Sequence, residues 1–309
     1  MMLYQNNDLN IVNIKDLKVV FAGCVLDCPS FLPGTIKNIR SYSKLFKESH
    51  TVIVENGSKD KTKEILNQNL SENDFFLFRE DLTRLANRGQ RLETARNIII
   101  ETIRENDKLN DCDIFVMIDL DDVGTYRINN KDIFKAVEFL FSKKENGAVF
   151  ANQLGTYNDM WTLRDQKYCK NDFWVEVLQF LIKNKNLSEQ ISKDNFMEAK
   201  KEIIDKKTFS FDLKMPPISV QSAFGGLGIY KMQNVMKNKQ KYIGTQNIEV
   251  VSKDNKKIKL KYQKCEHVNF NQGIVDQNLK LYILPFLINK VYIDLTFPPK
   301  VAIDLIINN

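Results

Sequence analysis

Along the first half of the chain the apolar positions follow two rhythms in turn. Leu17 to Gly23 (LKVVFAG), Thr51 to Glu55 (TVIVE), Phe75 to Phe78 and Ile114 to Ile118 (IFVMI) are short apolar runs of strand length. Between them apolar residues recur at helical spacing. One helix is predicted over about Thr35 to Lys47. A second starts near Lys59, with Ser58 of the turn Asn56-Gly57-Ser58 as its N-cap. A third covers Arg91 to Glu105, where Leu92, Ala95, Ile98, Ile99 and Ile103 mark its apolar face. A further helix over Lys131 to Ser142 and a strand over Gly147 to Ala151 continue the series. Strands alternating with helices imply parallel βαβ units. In such sheets ligands bind beyond the carboxyl ends of the strands.

From Gln153 the pattern loosens. Gly155 to Asp165 (GTYNDMWTLRD) reads as a loop mixing aromatic and charged residues, Asp172 to Lys183 as an amphipathic helix, and Leu187 to Lys207 as a Lys-rich helical insertion with a solvated face. Pro216 to Ala223 is a candidate strand, Phe224 to Gly228 (FGGLG) a flexible turn, and Asn247 to Val251 with Ile258 to Tyr262 a hairpin with a charged tip. The expectation is α/β: a mostly parallel central sheet flanked by helices, with a smaller mixed sheet in the C-terminal half. One domain is predicted over 1–309, its ligand-binding half at about 17–150, a second half at about 151–270 and an extension over 271–309. The apolar run Leu281 to Ile288 contains Pro285 and is too short to cross a bilayer.

Composition narrows the class. The chain has 309 residues, 43% of them hydrophobic and 27% charged, so it can bury a large core. Its net charge of +6 suits an anionic ligand without demanding nucleic acid. The polar stretch Met1 to Lys18 has no signal-peptide core, and the expectation is a soluble, cytoplasmic protein. Five cysteines at irregular spacing form no disulfide framework, so reduced thiols are expected.

The chemistry gathers where the run Ile114 to Ile118 ends in Asp119-Leu120-Asp121-Asp122. A buried strand ending in Asp-x-Asp puts two carboxylates at the sheet edge, where they can share one cation. Mg²⁺ and Mn²⁺ favour such oxygen ligands, with substrate phosphates completing the shell. The bland alternative is a polar turn capping the next helix. Glu55 and Asn56 also follow a strand and should line the same crevice.

Three stretches in this order resemble the GT-A nucleotide-diphospho-sugar transferases: Val52 to Lys61 (VIVENGSKDK), Gly89 to Asn97 (GQRLETARN) and Asp119-Leu-Asp121. More narrowly, Arg88 to Asn97, Asp119 to Asp122, Tyr157 to Asp165, Ser222 to Gly226 and Cys265-Glu-His267 resemble the CAP59-type fungal capsule mannosyltransferase group and related viral or bacterial glycosyltransferases. The resemblance covers roughly Lys18 to Phe270.

The resemblance implies a GT-A fold and transfer of a hexose, such as mannose, from a GDP- or UDP-linked donor to a saccharide or glycoconjugate acceptor, with Mn²⁺ or Mg²⁺ as cofactor. Asp119, Asp121 and His267 would hold the metal. His267, one of two histidines, has the alternative of a plain core residue; His50 is read as structural. Glu55, Asn56, Arg96, Asn97, Asp119, Gly225 and Gly226 would bind the nucleotide sugar, with Arg88 and Arg91 as further phosphate candidates. For Glu55 the alternative is turn capping, and for the arginines ordinary ion pairing. Tyr157, Trp161 and Arg164 would form the acceptor wall, since flat rings pack on sugar C–H groups. Asp159, Asp165 and Glu266 are candidates for the base that deprotonates an acceptor hydroxyl. No nucleic acid and no integral membrane segment is expected. Two other readings are a sugar-phosphate nucleotidyltransferase, whose Gly-rich, Lys-bearing loop is not matched by Gly23 to Pro29, and an inactive carbohydrate- or nucleotide-binding module.

Overall fold

A computed structural model describes residues 12–69, 71–85, 87–184, 193–207, 209–251, 255 and 257–292. Ten strands and nine α-helices are found among them. The strands are β1 (Lys18–Val25), β2 (Glu48–Glu55), β3 (Asp74–Phe78), β4 (Ile114–Ile118), β5 (Asn146–Gly155), β6 (Ile218–Val220), β7 (Leu227–Lys231), β8 (Thr245–Val251), β9 (Lys257–Gln263) and β10 (Lys280–Tyr292). The helices are α1 (Leu32–Ser43), α2 (Thr62–Gln68), α3 (Arg88–Glu105), α4 (Asp107–Asn110), α5 (Asn130–Ser142), α6 (Phe173–Asn184), α7 (Lys193–Ala199), α8 (Met232–Lys237) and α9 (Glu266–Val275).

Eight strands form one sheet in the order β3-β2-β1-β4-β7-β5-β10-β6, and β8 pairs with β9 in a separate antiparallel hairpin. Only β7 and β6 run against the other strands of the large sheet. The expected α/β layout, a mostly parallel central sheet with a smaller one in the C-terminal half, is the one observed. Period-two alternation explains the core. Val20, Ala22, Phe115 and Met117 point into one cluster, with Ala95, Ile99 and Ile103 of α3 and Phe270 and Ile274 of α9. Val19, Phe21, Ile114, Val116 and Ile118 point the other way, against Leu32, Ile36 and Ile39 of α1 and Ile133, Val137 and Leu140 of α5. Strands buried on both faces are why β1 and β4 read as continuous apolar runs. Each such Val, Ile or Phe contributes roughly 1.5–3 kcal/mol relative to an exposed position.

Three local expectations are corrected. Ser58 does not cap α2. Its amide donates to the Glu55 carboxylate and its hydroxyl accepts from the Asp27 amide, while Asp60 accepts from the Thr62 amide at the true helix start. The strand expected over Pro216 to Ala223 shrinks to Ile218–Val220. The flexible turn expected over Phe224 to Gly228 ends at Gly226, and Leu227–Lys231 is a fully buried strand wedged between β4 and β5. The apolar run near the end lies within β10, a 13-residue strand beside β5. Part of the Lys-rich insertion (187–192, with 185–186 before it) and part of the hairpin tip (252–254 and 256) lie outside the described residues, as do 1–11 and 293–309. Among the described residues no helix is long and apolar enough to cross a membrane. All five cysteines are free thiols.

Candidate active site

The backbone first fixes where the acids stand. The β4–β7 ladder runs to Ile118 opposite Leu227 and is extended by the Asp119 amide donating to the Gly226 carbonyl at 3.0 Å. Gly225 and Gly226 make the turn into β7 with φ of +63° and +83°. A Cβ on Gly226 would stand 2.3 Å from Val123 Cγ1 and 2.5 Å from Asn289 Nδ2, so no side chain fits there. The turn is held from β10 by Asn289 Nδ2, which donates to the Gly225 carbonyl at 3.0 Å. Asp121 Oδ1 accepts from the Val123 amide at 3.0 Å, and Asp122 pairs with Lys290.

A pocket of about 170 Å³ opens beside Asp119. Arg88 and Arg96 of α3, Asp159 and Trp161 of the β5–α6 loop, and Glu266 and His267 at the start of α9 line it, together with Gly226. Asn87 caps α3 by accepting from the Gln90 amide at 2.9 Å, which sets Arg88 in the first turn at the pocket. Arg96 is 5% exposed and sits between two acids, pairing with Asp119 Oδ1 at 3.3 Å and with Glu266. Its guanidinium lies 5.4 Å from the Phe224 ring centre and 6.0 Å from that of Tyr242. Arg88 lies over Trp161 at 5.9 Å and has no carboxylate partner among the described residues, leaving its donors to a ligand.

Electrostatically the pocket holds more acid than its cations neutralise. Burial, then the charge of Asp121, pushes the Asp119 carboxyl up against the pull of Arg96. Burial raises Asp121 as well, despite its bond from the Val123 amide. Asp159 is raised by burial although its Oδ2 accepts from the Thr162 hydroxyl and from the Gly225 amide. His267 stacks on Phe224 with ring centres 4.0 Å apart, and neither ring nitrogen has a hydrogen-bond partner among the described residues. Burial and Arg96 hold its imidazole well below the ordinary histidine range, hence neutral.

No group of three His, Cys, Asp or Glu side chains among the described residues is placed to hold a metal ion. The two under-neutralised acids Asp119 and Asp121 fit an ion shared with ligand oxygens, not an all-protein cage.

Other predicted residues lie elsewhere. Glu55 is fully buried and holds the turn after β2, with Lys63 Nζ 4.0 Å from its second oxygen. Asn56 is buried beside it, its amide donating to the Val25 carbonyl. Asn97 is spent on the backbone of Tyr242, donating and accepting at 3.0 Å. Tyr157 is 0% exposed, in an aromatic cluster with Phe209 and Phe211. Arg164 pairs with Asp172 at 2.6 Å and donates to the Trp161 and Leu163 carbonyls. Asp165 Oδ1 accepts from the Lys167 and Tyr168 amides. None of these six, nor Asp121 or Gly225, is on the pocket wall. Sequence reasoning missed Gln153, a buried β5 residue whose Oε1 accepts from the Asn158 and Asp159 amides and so fixes the loop carrying Asp159. A polar residue ending a buried strand was the only signal for it.

No family model matches the chain, and no curated protein matches it. Among solved structures it is similar to mannosyltransferase PcManGT from Pyrobaculum calidifontis in complex with GDP-Man and Mn²⁺, at 12% identity and TM-score 0.39, over 75% of this chain and 49% of that one. It is similar to S. aureus TarS 1-349 at 10% identity and TM-score 0.44, over 87% and 58% of the two chains. A third is glucosyl-3-phosphoglycerate synthase from Mycobacterium tuberculosis in complex with UDP, at 10% identity and TM-score 0.42, over 96% and 78%. The chain thus spans about half the length of the first of these and 58% of the second. The likeness is one of layout, and the chemistry of the site rests on its own residues.

Proposed function

We propose that this chain transfers a hexose from a nucleoside-diphosphate sugar to a saccharide or glycoconjugate acceptor, with Mn²⁺ or Mg²⁺ held by Asp119, Asp121 and the donor diphosphate. One observation carries the reading: under-neutralised acids converge at the carboxyl end of β4 with the cation of Arg88, which has no carboxylate partner among the described residues. Acids suit an ion, and a guanidinium fork suits a phosphate. The ion would neutralise charge on the departing diphosphate.

The protein's own groups do the rest. Arg88 binds the diphosphate at the mouth of the pocket. Arg96, tied to Asp119 and Glu266, fixes both acids. Asp159 is the base. It lines the pocket with its orientation set by Thr162 and Gly225, and its raised carboxyl is better matched to a hydroxyl proton than an ordinary carboxylate. Glu266 is committed to Arg96, and Asp165 lies off the wall. As the acceptor oxygen bonds to the anomeric carbon, its proton passes to Asp159 and the bond to the diphosphate oxygen breaks. Trp161 offers the acceptor a flat apolar face.

The test is a thermal-shift panel with UDP, GDP, CDP and ADP, each with and without Mn²⁺. A ligand at a hundred times its Kd adds about 2.7 kcal/mol, a rise of roughly several degrees. One nucleotide should raise the midpoint, and only with Mn²⁺. Asp121→Asn should melt at the parental temperature alone and lose the Mn²⁺-dependent shift. A shift that ignores Mn²⁺, or that survives Asp121→Asn, would overturn the metal assignment.

A further inference from the structure

A second cavity, of about 460 Å³, lies against α1 and shares no residue with the pocket at the end of β4. Its charged lining is wholly cationic: Lys37, Arg40, Lys44 and Arg127. Lys37 and Arg40 of α1 and Lys44, its C-cap, whose backbone is still helical, stand at i, i+3 and i+7, so helical geometry puts them on one face. The Arg127 guanidinium is brought to that face by a 3.1 Å hydrogen bond to the Ser41 hydroxyl.

Of these four cations only Arg40 has a carboxylate partner among the described residues, Asp74. Arg40 also donates to the Asn69 carbonyl at 3.1 Å, which pins it at the cavity edge. Lys37, Lys44 and Arg127 are exposed and have no ion pair among the described residues, and three like charges around one concavity repel each other and focus a positive field. Lys18 and Lys63, by contrast, are half-buried and pair with Asp111 and Glu80.

We propose that the α1 cavity is a binding site for a phosphate-bearing group, separate from the candidate active site. The cavity has room for more than an orthophosphate. Arg127 retains guanidinium donors beyond the one given to Ser41, and each lysine brings three. The Asn38 side chain donates from α1 to the Gly124 and Thr125 carbonyls at 3.0 Å, so the helix bearing these cations also backs the loop that follows Asp119 to Asp122.

The test is calorimetric titration of the full chain with inorganic pyrophosphate, in chelator and at low salt. Lys37→Glu with Lys44→Glu should weaken binding at least tenfold without moving the thermal midpoint, since both side chains are exposed. Lys239→Glu with Lys261→Glu, an equal change of net charge at exposed positions outside the cavity, should stay within twofold of the parent. Unchanged affinity in the first pair, or equal loss in both, would overturn the site. A second arm uses sedimentation with vesicles of phosphatidic acid in phosphatidylcholine. Co-sedimentation abolished by the first pair alone assigns a lipid headgroup. Pyrophosphate binding without co-sedimentation assigns a free phosphate compound. Binding in neither arm would dismiss the proposal.

Discussion

Gly226 shows what one residue contributes. Its left-handed φ and the two atoms within 2.5 Å of a virtual Cβ leave no room for alanine. Gly226→Ala should cost about 2–4 kcal/mol in urea unfolding. Gly34→Ala is the control. Gly34 sits in α1 with its nearest neighbour, Thr125 Cγ2, 3.3 Å from a virtual Cβ, and should be within about 1 kcal/mol of neutral. Equal losses would mean that the cost does not come from the turn. At this scale the sequence shows residue type and spacing but not orientation. Arg96 and Asn97 are neighbours on α3, yet one faces the pocket and the other is used up on the Tyr242 backbone. Glu55 and Asp119 both end strands, but Glu55 turns inward to the Ser58 amide. Tyr157 and Trp161 lie in one loop, and only Trp161 reaches the wall.

Among the elements, the βαβ half was readable because each strand and helix carries its own period and its own turn. The two strands that escaped had no such local signature. In β7, Gly228 and Lys231 break the apolar run, and the strand is antiparallel with no crossover helix to announce it. In β10, Pro285 argues against a strand, and the register shift between Ile283 and Ile288 is what accommodates it. The edge strand β3 is tied to α1 by the fork of Arg40 on the wholly buried Asp74 carboxylate. Burial pushes that carboxyl up, but the bonds from Arg40 and Ser71 outweigh it and hold it below the ordinary aspartate value. A lowered native pKa stabilises above about pH 4 and stops doing so as pH falls through the native value. Asp74→Asn should therefore cost roughly 1–3 kcal/mol at neutral pH, Arg40 being partly screened, and less in acid, as pH falls through the native value. Melting curves of parent and variant at neutral pH and in acid check this, and a gap that does not narrow in acid would mean that packing, not charge, sets the loss.

For the molecule as a whole, the pocket is a junction of distant stretches: α3, the end of β4, the loop after β5 and the start of α9. That convergence was legible only as far as strand ends in a parallel sheet must share one edge, because nothing local records that β7 inserts between β4 and β5. The arrangement also separates roles. If Trp161 faces the acceptor, Trp161→Ala should lower transfer to acceptor by about tenfold or more while donor hydrolysis by water changes little. Equal losses in both rates would put Trp161 on the donor side, with Arg88.

The lateness of β10 bears on how such a chain is made. Residue 289 locks the turn carrying Gly225, and residue 290 pairs with Asp122, yet both leave the ribosome long after Asp119 and Asp121. Until they emerge, β5 lacks its parallel neighbour and presents an open apolar edge, a template for wrong pairing. Over that interval the nascent chain has neither a fixed turn beside Asp119 nor a covered β5 edge, and a single late strand supplies both at once.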